Sequence, residues 1–266
     1  MKNNYRFLFL GDIFGKTGRQ ALVDNLSDIK EEFCIDFTVA NGENIAHGSG
    51  IHKKGFRRMI EIGIDVITGG NHTFHRKTIY KILENKPENL LIPANYPQGV
   101  PGKRYGIFSV DDDLDVIIVN LHGRALMKSD LDCPFRKLET ILSENQDFEG
   151  PVFVDFHAEA TSEKRAFGLY FDGKITGIFG THTHIQTSDQ RIMKKGTAYI
   201  TDLGMCGPYD SVIGLTLESV IDKFLYQLPT RFEVSSCTPS IEGVVVTYNP
   251  SDNKVEAIER ISRQFK

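Results

Sequence analysis

Ile175-Thr176-Gly177-Ile178-Phe179-Gly180-Thr181-His182-Thr183-His184 is the stretch that decides how this chain is read. Ile175 to Phe179 is short and apolar, the pattern of a buried strand. Two histidines one residue apart follow it. On an extended backbone side chains at i and i+2 point the same way, so both imidazoles can meet at one point. Neutral imidazole is the commonest metal ligand, and two of them make half of a tetrahedral site. Alone, an H-x-H reads as two polar residues at a loop mouth.

Working outward, other strand ends carry the same kind of residue. Tyr5 to Leu10 reads as a strand ending at Gly11-Asp12, and Asp36 to Ala40 as one ending at Asn41-Gly42-Glu43-Asn44. Asp65 to Thr68 runs into Gly69-Gly70-Asn71-His72, and Pro151 to Phe156 into His157. Helical spacing follows each of the first three, over Gly18 to Phe33, Lys53 to Ile62 and Arg76 to Leu83. That alternation predicts βαβ crossovers and a largely parallel sheet covered by helices. In such sheets ligands sit outside the carboxyl ends of the strands.

Further along, Tyr105 to Val110 and Asp115 to Asn120 flank an acidic turn and read as a hairpin. A helix through Phe135 to Leu142, a strand Ala198 to Thr201 and a closing pair Gly243 to Tyr248 and Val255 to Ile261 complete the pattern. Pro93 to Lys103 is the best boundary candidate, but reads better as the join between two sheets of one domain spanning 1–266. Gly204, Gly207 and Pro208 suggest a fixed shape for the loop from Met205 to Ser211.

Composition narrows the class. The 266 residues are 40% apolar and 25% charged, with net charge −4. Stable binding to nucleic acid or anionic membrane is therefore not expected. Four scattered cysteines form no C-x-x-C pair, and no stretch approaches a membrane span, which predicts a cytoplasmic location. Gly11 to Thr17 imitates a phosphate-binding loop but has three residues between its glycines where that motif needs four.

Each strand-end residue has a bland account. Asp12 or Asn71 would serve as a helix cap, Glu43 as partner to a surface lysine, and His157 as a core histidine. Together those accounts demand coincidence at five strand ends. A mixed nitrogen and oxygen set with a carboxylate able to bridge suits a two-metal hydrolytic centre better.

The ordered set Gly11-Asp12, Asn41-Gly42-Glu43-Asn44, Gly70-Asn71-His72, His157 and Gly180-Thr181-His182-Thr183-His184 resembles the calcineurin-like metallophosphoesterases. It is most similar to their YmdB-type branch, through Asp155 to Glu163, Pro93-Ala-Asn95 and Thr201 to Met205. Two departures from the superfamily pattern stand out. Phe14 occupies a position usually held by a ligating histidine, and Glu43 replaces a bridging Asp, so Asn44 becomes the natural donor for the vacancy.

The resemblance implies an α/β fold: a four-layer α/β/β/α sandwich of two mixed sheets flanked by helices. It implies two divalent or transition metal ions, iron or manganese. Asp12, Glu43, Asn44 and His184 would hold the first, and Glu43, Asn71, His157 and His182 the second. Two cations roughly 3.5–4 Å apart lower the pKa of a shared water, and His72 is placed as general acid on the leaving oxygen. The implied reaction is hydrolysis of phosphodiesters such as 2′,3′-cyclic nucleotides. Two other readings stay open: a regulatory nucleotide-binding protein with a metal site and little turnover, and a di-metal hydrolase of another ester or amide class. A homo-oligomer is neither required nor excluded.

Overall fold

Along β1 (Tyr5–Leu10) successive residues serve two different interiors: Leu8 and Leu10 face one core, Phe7 and Phe9 another. Period-2 alternation with both faces apolar is what a strand buried on both sides requires. A computed structural model describes residues 2–128 and 130–265.

The first third runs β2 (Asp12–Ile13), α1 (Gly15–Glu32), β3 (Phe37–Asn41), α2 (Lys53–Glu61), β4 (Val66–Thr68), α3 (Thr78–Leu83) and β5 (Leu90–Leu91). The middle holds the hairpin β6 (Tyr105–Asp111) and β7 (Leu114–His122), then α4 (Pro134–Glu144), β8 (Val152–His157), α5 (Thr161–Phe171) and β9 (Gly177–Thr181). Next come β10 (Arg191–Ile192), β11 (Ala198–Ile200), β12 (Met205–Pro208) and α6 (Leu217–Tyr226). The chain closes with the long pair β13 (Pro239–Asn249) and β14 (Lys254–Gln264).

Two mixed sheets result. The first has the order β2-β12-β13-β1-β3-β4-β5, with β14 also paired to β13. Its β1, β3, β4 and β5 are parallel, while β13 runs against both β1 and β14. The second has the order β10-β11-β9-β8-β7-β6. One apolar core lies between the first sheet and α1 to α3, one between the sheets, and one between the second sheet and α4 and α5. That is the four-layer α/β/β/α sandwich.

The segment joining the sheets is the one flagged in the sequence. Arg104 fixes its path by donating to the carbonyls of Tyr96, Pro97 and Val100. The first sheet is less parallel than the alternation predicts, because β13 and β14 enter it from the far end of the chain. The strand expected at Ile175 to Phe179 lies two residues later, at Gly177–Thr181. The expected Met205 loop is a strand, paired in parallel with β2 and antiparallel to β13.

The space between the sheets changes character along the strands. Its dry end is aromatic: Phe153 lies 4.9 Å from both Phe7 and Phe9, and Phe9 is 4.2 Å from Phe179, centroid to centroid. Each such buried ring contributes about 1.5–3 kcal/mol by burial alone. Two residues on, the same inward-facing positions become polar. Val39 gives way to Asn41, Val66 to Thr68, Phe153 to Asp155 and then His157, and Phe179 to Thr181. The site is built at that polar end.

Candidate metal centre

Asp155, fully enclosed, ties the two sheets together where the aromatic layer stops. Its Oδ2 accepts from Asn41 Nδ2 at 2.9 Å and from the Thr68 hydroxyl, and its Oδ1 accepts from Thr181 Oγ1 at 2.7 Å. These four residues come from β8, β3, β4 and β9, so one carboxylate fixes four strand ends relative to each other.

Thr181 carries that order to His157, whose Nδ1 lies 2.9 Å from Thr181 Oγ1. With the hydroxyl donating to Asp155, His157 Nδ1–H donates to the hydroxyl and Nε2 is left facing inward. There it meets Asn71 Oδ1 at 2.9 Å, His182 Nδ1 at 3.1 Å and Glu43 Oε2 at 3.2 Å. His182 is anchored from outside by Glu159, 2.9 Å from its Nε2. His184 is anchored by the Ile213 carbonyl, 3.0 Å from its Nδ1, and turns Nε2 towards Asp12 Oδ1 at 3.6 Å. Each of the three imidazoles therefore has one nitrogen fixed by an outer partner and the other aimed into a shared space, the arrangement of ligating histidines.

Glu43 stands between two groups. Its Oε1 accepts from Asn44 Nδ2 at 3.0 Å on the side of Asp12 and His184, and its Oε2 faces His157. Donor atoms of Glu43, His157 and His182 all lie within 4.8 Å of one another. Asn44 turns its Nδ2 into the first group, 3.1 Å from His184 Nε2, and gives its Oδ1 to His72 Nδ1 at 2.7 Å. To serve as an oxygen donor this amide turns over about its Cβ–Cγ bond. His72 is also held by its backbone N–H, which donates to Glu43 Oε2 at 2.9 Å. Its Nε2 has no hydrogen-bond partner among the described residues, and His72 lines the cavity.

All eight residues singled out in the sequence thus meet at one place. The capping alternatives are not taken: α1 is capped at Phe14 and α3 at Lys77, neither by a side chain. Asp12 Oδ2 instead accepts from the His182 backbone at 3.1 Å. One premise changes. His182 and His184 do not continue the strand; their φ values are 100° and 63°, in the left-handed region. They converge because the turn folds both rings inward, and not because a strand alternates.

A buried ion pair holds that turn. Lys164 Nζ, on α5, lies 2.7 Å from Asp202 Oδ2, and the same oxygen accepts from the Thr183 backbone at 3.1 Å and its hydroxyl at 2.7 Å. Thr181, Glu159 and Asp202 stand inside the motifs quoted from the sequence, where they have no separate role, and Lys164 lies outside them. Its place within the apolar face of α5 was the readable signal for Lys164, and Asp155 two residues before His157 for the inter-sheet tie. Gly70 completes the packing: a Cβ there would lie 2.3 Å from Glu43 Oε2 and 2.4 Å from His157 Nε2.

The electrostatics suit cations. Burial opposes charge on Glu43, yet His157 and His72 beside it hold its carboxyl well below the usual range. Burial also opposes ionisation of Asp12, which His184 nevertheless lowers. Against burial, Asp12 lifts His184 to about 9, and Glu43 raises His157. Burial and the neighbouring His157 push His182 down to about 3. His182 is therefore neutral, and its contact with Glu159 is a hydrogen bond from Nε2–H. Two buried carboxylates thus face two imidazoles whose protonation they favour, in a donor set that fits metal ions in their place.

Comparison with known proteins follows the same lines. A family model described as "YmdB-like protein" matches residues 8–261. A Bacillus subtilis protein named 2′,3′-cyclic-nucleotide 2′-phosphodiesterase is 44% identical over 257 residues, covering 96% of each chain. A solved structure described as a novel phosphatase from Mycoplasma pneumoniae superposes with a TM-score of 0.93 at 38% identity, over 99% of this chain and 95% of that one. Another, from Thermus thermophilus, gives 0.90 at 35% identity, over 98% and 100%.

Proposed function

The chain belongs to the family of YmdB-like proteins, and from that premise we propose that it is a metal-dependent phosphodiesterase of small substrates, 2′,3′-cyclic nucleotides foremost. The observation that carries this reading is Glu43, fully buried, with one oxygen turned to each of two donor groups. Asp12, Asn44 and His184 would hold one metal with Glu43; Asn71, His157 and His182 would hold the other. The mixed nitrogen and oxygen donors suit iron or manganese. When bound, two such ions would supply the charge that activates an attacking water and steadies the phosphoryl oxygens.

The chain's own groups do the rest. Protonated His72 donates from Nδ1 to Glu43 Oε1, 3.1 Å away, and carries a second proton on Nε2, towards the cavity. That proton goes to the leaving alkoxide, for which general acid catalysis is worth roughly 10²–10⁴ in rate. Asp155, Thr181 and Glu159 hold ring orientation. Residues 1–266 act as one catalytic domain. No helix among the described residues is long and apolar enough to cross a membrane.

The test is metal analysis of the purified protein followed by a panel of 2′,3′-cyclic and 3′,5′-cyclic nucleotides, cyclic dinucleotides and phosphomonoesters, with and without chelator. Chelator-sensitive hydrolysis led by the 2′,3′-cyclic compounds is expected. Retention of metal with no turnover of any phosphodiester would overturn the reading.

A further inference from the structure

Beside the donor cluster the cavity carries a wall of opposite character. It encloses about 540 Å³, within the usual size of a ligand site. Phe14, Ile213, Leu215, Phe232 and Val234 form that wall. It begins at a proposed ligand. The Phe14 ring meets the His184 ring edge-on at 5.4 Å, and the Ile213 carbonyl is the group that orients His184. Leu215 and Val234 are bridged across an antiparallel contact, which brings Phe232 to the cavity rim. Phe232 is 47% exposed, and Lys223 Nζ lies 5.2 Å from its ring centroid.

The polar lining opposite is largely committed elsewhere: Ser49 Oγ and His75 Nδ1 face each other at 2.9 Å and the Thr183 hydroxyl donates to Asp202, leaving His47 beside them. Among the described residues no lysine or arginine lines the cavity, whose acidic groups are Glu43 and Glu159. A flat, uncharged aromatic body joined to a single phosphodiester fits both surfaces at once.

Resting on the phosphodiesterase reading, we propose that Phe232, flanked by Ile213 and Leu215, seats the nucleobase of a mononucleoside cyclic phosphate by its face. Recognition through the ring face accepts every base, since each has one. The enzyme is then blind to base identity.

The test compares KM and kcat for the 2′,3′-cyclic phosphates of adenosine, guanosine, cytidine and uridine with those for methyl riboside 2′,3′-cyclic phosphate, which lacks a base. In the wild type the four nucleotides share a KM roughly tenfold below that of the riboside, the scale of one base stacked on an aromatic ring. Phe232→Ala removes most of that advantage through KM and not kcat, and Phe232→Tyr restores it. An unchanged ratio in Phe232→Ala, or strong preference for one base, overturns the seat. Saturation-transfer NMR with adenosine alone reads the seat without turnover. Base protons receive the transfer in the wild type and lose it in Phe232→Ala; no transfer in the wild type also overturns the seat. Adenosine contact without hydrolysis of any phosphodiester sinks the catalytic reading instead.

Discussion

Lys164 and Asp202 form an ion pair at 2.7 Å with side chains 1% and 0% exposed, directly behind the turn that presents His182 and His184. Asp202 fixes Thr183 through two hydrogen bonds, so the pair sets the turn and the turn sets the rings.

Asp202→Ala should therefore cost about 3–5 kcal/mol, because it strands a buried ammonium. Replacing both partners by Lys164→Met and Asp202→Leu should cost less than the two single changes added together. Urea denaturation measures both, and a loss below about 1 kcal/mol for Asp202→Ala would show the pair to be dispensable.

His72→Ala and His157→Ala should separate chemistry from metal holding. The first is expected to keep its metal and lose turnover by roughly 10²–10⁴. The second, which removes the nitrogen facing Glu43, Asn71 and His182, is expected to lose metal as well. Metal content measured beside turnover decides; full activity in His72→Ala would remove it from the reaction.

Thr181→Val keeps shape but cuts the link from Asp155 to His157. Outer partners of ligating residues are worth roughly 10–100-fold in metal affinity. Chelator competition should show a loss of that order while hydrolysis at saturating metal falls less. Unchanged affinity would mean that His157 is oriented by packing alone.

Metal uptake should release protons, since His184 is lifted to about 9 and His157 is raised in the metal-free chain. Affinity then falls as pH falls, because protons compete for both rings. For stability the sign is opposite. A histidine whose folded pKa is about 9 against 6.5 unfolded stabilises fully below 6.5, and loses that contribution as pH rises through 9. Metal-free protein should melt lower at pH 9 than at pH 6.5, with a smaller difference in metal-loaded protein. Calorimetry in buffers of different ionisation enthalpy counts the protons; zero release would contradict the paired charges.

Much of the site was legible because strand ends announce themselves locally. An apolar run followed by Gly-Asn-His or Thr-His-Thr-His needs no long-range information. Layers were legible only through likeness, because β13 joins β1 across more than two hundred residues and brings β14 with it. What stayed hidden follows from distance or brevity. Asp12 sits on a two-residue strand paired to Met205, too short for any period to show. Asn41 meets Asp155 across 114 positions, and Lys164 meets Asp202 across 38. The left-handed turn at His182 and His184 escapes an alternation rule, because polar contacts to Asp12 and Asp202 override the strand pattern there.

The gradient between the sheets has a mechanical corollary. Phe153 and His157 sit on one strand, about 13 Å apart at roughly 3.3 Å per residue. Foundation and working end are one beam, seated in a close-packed layer that transmits displacement instead of absorbing it. Enlarging or hollowing that aromatic layer would move the imidazole at its far end, so mutations there cost activity as well as stability. Residues on the opposite face of the same strand, Val154 and Phe156, rest against helices, and Phe156 stacks at 4.2 Å on Phe167, one turn along α5 from the Lys164 that holds the histidine turn.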